Sequence, residues 1–361
     1  MISVMQLSRR QFLQSAAATA IGGSLSTGCS ERAEKSEKKE LSIYSWPDYI
    51  QPEAIPEFEK RYGIKVVYDT VSSNEGLIAK FQAGASDYDI IVPSNYAVAK
   101  LKELNGLREI ERDKLSNFKY LMPRFQTSAF DAGRHYSIPY TFGTTGIAYN
   151  QAAPCFKNGV YPVDWDSFWD ANISGRMTLL EDARETIGVA LKKQGRSINT
   201  RDEEQIRAAC NELKSQKKYV MCYTSDQVIV YLTSGDSWLS LAFSGDAQQA
   251  ARSNKDIRYI IPHSGASMWV DNLCIPKNAP HPDYAHLWIN YMLEPKVAAS
   301  LSNYTNYASP NQEARKHVNT ELLHDKNLYP EDNILDRCEE IADVGKAVFV
   351  YDRLWTELKC V

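Results

Sequence analysis

The chain has 361 residues, a formal net charge of −4 and 24% charged residues, with 43% hydrophobic and 11% aromatic. Nothing in that balance supports a nucleic-acid partner, whereas a mildly acidic surface suits a cationic ligand. About 330 residues remain once an N-terminal address is set aside, more than one hydrophobic core usually holds, so two lobes are expected.

Residues 1–29 read as that address. Ser8-Arg9-Arg10-Gln11-Phe12-Leu13 is a twin-arginine pattern, which belongs to bacterial export. The apolar run from Ala16 to Leu25, interrupted by Gly22, Gly23 and Ser24, is too short to span a bilayer. Leu25-Ser26-Thr27-Gly28-Cys29 resembles a lipoprotein processing box, with Ser26 standing where the usual box has leucine. In such a box Cys29 is the lipidation site and becomes the first mature residue. The stretch holds two arginines and no acid, so its loss makes the chain two charges more negative. Residues 30–40 are polar and charged, a tether unable to bury a core.

From Leu41 the pattern is βαβαβ. Leu41 to Trp46 alternates as a strand, Glu53 to Tyr62 reads as a helix stopped by Gly63, and Ile64 to Tyr68 is the next strand. Ser72 and Glu75 form a capping box before a helix to Ala83. Tyr88 to Val92 is a third strand, after which Pro93-Ser94-Asn95 opens a helix to Leu104. This alternation predicts a parallel sheet covered on both faces, with a ligand crevice beyond the C-terminal strand ends. Two of those ends carry Trp46-Pro47-Asp48-Tyr49 and Ser94-Asn95-Tyr96, so aromatic and hydrogen-bonding groups gather at one rim.

Tyr136 to Tyr149 alternates small and aromatic residues without charge, a strand passing between lobes. A short helical segment at Trp165–Asp170 and a strand at Met177–Leu180 precede Glu181-Asp182-Ala183-Arg184-Glu185, which opens a helix through Leu191. Asp182 and Glu185 lie three apart on one helical face. Helix capping accounts for them as well as a ligand does. Further on are a helix from Asp202 to Gln216, a strand at Tyr219–Tyr223, a helix at Ser225–Leu232, and the strand Trp238–Phe243 running into Ser244-Gly245-Asp246 and a helix through Ala251.

Gly265 to Pro276 reads as a strand whose alternation puts Trp269 and Asp271 on one face. An indole face beside a carboxylate is what an organic ammonium needs. His281 to Leu301 is amphipathic and interrupted near Pro295; residues 303–310 form a polar aromatic loop holding Tyr307, and Asp343 to Leu358 is a closing helix. Besides Cys29 the cysteines are Cys155, Cys210, Cys222, Cys274, Cys338 and Cys360, none at C-x-x-C or zinc spacing, so no metal and no cofactor is expected.

The ordered set Tyr44-Ser45-Trp46-Pro47-Asp48-Tyr49, Asp89-Ile90-Ile91-Val92-Pro93-Ser94-Asn95-Tyr96, Glu181-Asp182-Ala183-Arg184-Glu185, Trp269-Val270-Asp271-Asn272-Leu273-Cys274-Ile275-Pro276 and Leu328-Tyr329-Pro330 resembles the spermidine/putrescine-binding proteins of ABC importers. The resemblance implies a type II periplasmic-binding-protein fold, two α/β lobes around a ligand cleft. It divides the chain into 41–147 plus 271–316 and 148–270 plus 317–361. It places a polyamine among Trp46, Asp48, Tyr49, Ser94, Tyr96, Asp182, Glu185, Phe243, Asp246, Trp269, Asp271 and Tyr307. Phe243 stands where the family usually has tryptophan, and near Ile341 the spermidine type has a glutamine that is missing here. The implied setting is the periplasm, as a monomer partnered by an ABC permease and ATPase, with membrane attachment only through a lipid on Cys29. A polyamine sensor on the same fold is the alternative. An enzyme using Cys274 is a further one, but Cys274 is an odd step from Asp271 and has no histidine beside it.

Overall fold

The structure, a computed structural model, describes residues 39–47, 49–71, 73–84, 87–128 and 130–360. The export signal, Cys29, all but the last two residues of the 30–40 tether, Asp48 and Ser72 lie outside the described residues.

The first part of the chain folds as its alternation predicts. β1 (Glu40–Ser45), α1 (Ala54–Tyr62), β2 (Lys65–Thr70), α2 (Asn74–Gln82), β3 (Ile90–Ile91) and α3 (Asn95–Glu103) follow in order. β1 lies between β2 and β3 and pairs with both in parallel. Gly63 ends α1 at φ 65°, a left-handed turn that lets its N–H reach Glu59 O. The cap of α2 is Ser73, whose Oγ accepts from Gly76 N at 3.0 Å, and not Ser72 as the Ser72/Glu75 spacing predicts. Starting there makes Asn74 the first helical residue, where its side chain engages Ser94.

The remainder adds β4 (Ile138–Asn150), β5 (Met177–Leu179), α4 (Ala183–Lys193), α5 (Glu203–Gln216), β6 (Val220–Tyr223), α6 (Val228–Ser234), β7 (Leu239–Phe243), α7 (Ser244–Ser253), β8 (Ile257–Ile260) and β9 (Ser267–Leu273). After these come α8 (Pro282–Met292), α9 (Pro295–Thr305), the short α10 (Thr320–Leu323) and α11 (Asp332–Leu335), β10 (Glu339–Glu340) and α12 (Val348–Cys360). The expected long amphipathic helix is therefore α8 and α9, with Pro295 opening the second, where its missing N–H costs nothing.

The second sheet runs β10-β9-β4-β7-β5-β6, with β8 also on β4. It is mixed, because the 13-residue β4 is antiparallel to β7, β8 and β9 while β5 is parallel to β6 and β7. One core gathers Leu41, Ile43, Phe58, Ile90, Trp288 and Leu301 around the first sheet. Another gathers Ile147, Phe168, Met177, Leu241, Ala247 and Leu358 around the second. The chain thus builds two α/β lobes, and β4 and β9 run side by side where the sheets approach each other.

Candidate functional site

The register of β4 on β9 sets the site. Thr141 faces Asp271, Gly143 faces Trp269 and Thr145 faces Ser267, and alternation puts all six on one face. Gly143 is required there: a Cβ would stand 2.4 Å from Trp269 Cζ2 and 2.8 Å from Ser244 Oγ.

Asp271 is held through both of its oxygens. Ser94 Oγ donates to its Oδ1 at 2.6 Å and Tyr49 Oη to its Oδ2 at 2.5 Å. Tyr49 Oη also lies 2.6 Å from Thr141 Oγ1. Burial pushes the Asp271 carboxyl up to about 6, against the two hydroxyl donations.

Aromatic rings line the way from Asp271 to a second acid. Tyr307 meets Tyr49 at 5.9 Å and Trp269 at 4.8 Å, the latter edge-on at 87°, and Phe243 lies 6.1 Å from Trp269. Tyr307 Oη donates to Asp246 Oδ1 at 3.1 Å, and burial raises that carboxyl to about 6 as well. Gly245 lies flat against the same tyrosine, where a Cβ would stand 2.3 Å from Tyr307 Cε1. Trp269 Nε1 is enclosed without an acceptor.

Asp182 and Glu185 do different work. Asp182 caps α4, its Oδ1 accepting from Arg184 N at 2.8 Å and Glu185 N at 2.9 Å. Glu185 points onto the β4/β9 face, where Thr145 Oγ1 donates at 2.9 Å and Ser267 Oγ at 2.5 Å. Burial, and after it the Asp182 charge, raise Glu185 to about 7. Burial also raises Asp182, and the charge of Glu75 adds to this.

Seven of the expected residues therefore form one contiguous group: Tyr49, Ser94, Phe243, Asp246, Trp269, Asp271 and Tyr307. Glu185 reaches the same sheet face, and Asp182 stands beside it on α4. Tyr96 binds Glu75 through its hydroxyl at 2.9 Å, close enough to Asp182 for that charge to help raise its phenol. Trp46 donates Nε1 to Val92 O at 2.9 Å, two residues before Ser94. Asp48 is outside the described residues. Cys274 is fully buried and pairs with Ile91, its thiol held up by burial, so it does not reach the Asp271 face.

The sequence reading missed Thr141, Thr145, Ser267 and Glu75. Ser267 shares the parity of Trp269 and Asp271 and was legible in principle; the threonines needed the β4/β9 register. Among the described residues no lysine, arginine or histidine forms an ion pair with Asp271, Asp246, Asp182 or Glu185.

A family model described as bacterial extracellular solute-binding protein matches residues 53–328. The chain belongs to that family. As a solute-binding protein it is 36% identical over 340 residues to the spermidine/putrescine-binding periplasmic protein of Escherichia coli, covering 93% of this chain and 96% of the relative. It is 31% identical to the putrescine/cadaverine-binding protein of Pseudomonas aeruginosa, covering 91% and 95%. Its fold matches the spermidine/putrescine ABC transporter substrate-binding protein of Streptococcus pneumoniae with a TM-score of 0.80 at 31% identity, covering 89% and 99%. Among the described residues no helix of this solute-binding protein is long and apolar enough to cross a membrane.

Proposed function

We propose that this solute-binding protein takes up a polyamine around Asp271 and hands it to an ABC transporter. The observation that carries the reading is the buried Asp271 carboxylate, held by Tyr49 and Ser94 on the sheet face that also carries Trp269, with no cation of the described residues paired to it. A polyamine is an apolar methylene rod with ammonium groups at intervals. The rings take the rod, and Asp271, Asp246 and the Asp182/Glu185 end take charge at separated points. An amino acid brings a carboxylate that these acids repel. The names of the relatives point the same way.

In this reading the lobes are 41–147 plus 271–316 and 148–270 plus 317–361. The twin-arginine stretch directs export to the periplasm, a lipid on Cys29 retains the protein at the membrane, and a permease with its ATPase receives the ligand from a monomer. Calorimetry of the mature protein against putrescine, cadaverine, spermidine, spermine and agmatine tests the reading, and saturable binding of at least one is expected. Absence of heat with all five, or equal binding of an amino acid, overturns it. For targeting, replacing Arg9 and Arg10 with lysine is expected to leave precursor in the cytoplasm. Cys29→Ser protein that still sediments with membranes rules out the anchor.

A further inference from the structure

On the face of β9 turned away from Asp271, two carboxamides connect a buried arginine to a half-buried glutamate. Arg134 is 1% exposed; its guanidinium donates to Phe125 O at 3.0 Å, to Ser137 Oγ at 3.3 Å and to Asn272 Oδ1 at 3.1 Å. Asn272 Nδ2 in turn donates to Asn95 Oδ1 at 2.9 Å, and Asn95 Nδ2 donates to the Glu340 carboxylate on β10. Each amide accepts from the arginine side and donates toward the glutamate; Asn272 is also held by the Val270 carbonyl at 3.0 Å, whereas Glu340 takes the Nδ2 of Asn95. Asn272 and Asn95 are 0% and 3% exposed, leaving no water to substitute for a lost partner.

The chain neighbours of these two residues make the arrangement bear on the site. Ser94 grips Asp271 while Asn95 grips Asn272, so consecutive residues at the entry of α3 hold consecutive residues of β9. Asn272 N also donates to Pro93 O at 2.9 Å, and Ser94 forms a bridge with Asp271. Glu340 belongs to a strand of two residues, and its own bond to α3 passes over β9 from the other side. A carboxylate at the entry of a helix is also favoured by the helix dipole.

We propose that Glu340 is a positioning residue of the polyamine site: through Asn95 it keeps the entry of α3 in register with β9 and so keeps the Ser94 hydroxyl on Asp271. The proposal rests on the polyamine reading of the site. Glu340→Gln retains the shape and an acceptor but removes the charge that orients Asn95. Asn95 Nδ2 then loses its charged acceptor while its Oδ1 keeps the Asn272 donor, and with that one-sided hold the Ser94 donation loosens. That donation opposes the upward push of burial on Asp271, so its loss raises the carboxyl further and affects binding most at lower pH. Among the described residues the other titratable groups that act with Asp271 are the phenols of Tyr49 and Tyr307, which stay neutral throughout that range because burial raises both, with the Asp271 charge adding for Tyr49 and the Asp246 charge, then that of Asp271, for Tyr307.

The test is calorimetry with spermidine at pH 6 and pH 8 on wild type, Glu340→Gln, Asn95→Ala, Ser94→Ala and the Glu340→Gln/Ser94→Ala double variant, with a melting curve for each. Glu340→Gln and Asn95→Ala are each expected to weaken binding by about threefold to tenfold, more at pH 6 than at pH 8. Ser94→Ala is expected to weaken it about tenfold or more, and adding Glu340→Gln to it should change little, because both act through one hydroxyl. Wild-type affinity in Glu340→Gln, a lowered melting temperature alone, or losses that multiply in the double variant overturns the proposal. If Glu340→Gln does not fold, Asn95→Ala decides on the same criteria. A wild type that binds no polyamine overturns the functional reading and the positioning role with it, whereas binding that is indifferent to Glu340 overturns only the latter.

Discussion

Asp271 sits where burial works against its charge and two hydroxyls only partly restore it. Two opposite pH dependences follow. The folded carboxyl titrates near 6, above its ordinary 3.8, so its contribution to stability is fully present below the ordinary value and lost as pH rises through about 6. Cation binding needs the ionised form and runs the other way. Between about pH 4 and 6 the unliganded melting temperature should lose what this residue gives, while the upshift produced by spermidine grows as pH rises through about 6. Thermal melts of wild type and Asp271→Asn with and without spermidine check this; identical pH profiles in the two proteins would sink it. Truncating one partner of a buried, hydrogen-bonded charge pair typically costs ~2–5 kcal/mol, about 30-fold to several-thousandfold in affinity. Asp271→Asn should therefore be the costliest single change at the site, measured by titration at pH 8. The neighbour to compare is Asp246, whose charge is opposed by burial but supported by a single phenol.

At the scale of elements, α4 separates two acids that spacing alone could not. The sequence puts Asp182 and Glu185 three apart on one helical face, yet Asp182 is the extended cap that faces the α4 backbone and Glu185 faces Thr145 and Ser267. Asp182→Ala should lower stability by ~0.5–2 kcal/mol through the lost cap. Glu185→Gln leaves the cap intact and removes a carboxylate raised to about 7, so it should lower polyamine affinity without lowering the melting temperature. Chemical denaturation and calorimetry of both variants separate the two effects; an Asp182→Ala protein of unchanged stability contradicts the capping geometry. What was legible here was local. Gly63 marked the end of α1, the period of two in β9 put Trp269 with Asp271, and Pro295 marked the start of α9. What was not legible depended on contacts far apart in the chain. Thr141 meets Asp271 only through the β4/β9 register, and β10 is two glutamates that no propensity scale favours as a strand. Ser73 caps α2 in place of Ser72, since Asn74 must reach Ser94 twenty residues on.

At the scale of the molecule, one aromatic residue reaches from the first core to the second beside the β4 crossing. Tyr307 follows α9, which packs with the first sheet through Val297 and Leu301, and Asp246 lies on α7, which packs with the second through Ala247 and Ala250. Their hydrogen bond, and the flat contact of Tyr307 on Gly245, therefore join the lobes at the place where a polyamine is proposed to lie. A ligand that engages Asp271 and Asp246 together favours this joined form, and by linkage it can shift the molecule toward it only as far as it binds that form better. Small-angle scattering should show wild type becoming more compact with saturating spermidine. Gly245→Ala isolates the contact. Alanine suits a helix better than glycine, so α7 itself should not suffer, but the new Cβ falls 2.3 Å from Tyr307 Cε1 and the ring must withdraw. Its withdrawal breaks the bond to Asp246 and the edge contact with Trp269 at one stroke. The variant should melt lower than wild type without ligand by no more than that lost bond accounts for, bind spermidine about tenfold or more weakly in keeping with a lost bond to a charged group, and stay extended in scattering at concentrations that compact the wild type. Gly245→Ala protein that compacts at wild-type spermidine concentrations would show that the lobes come together without Tyr307 seated on α7.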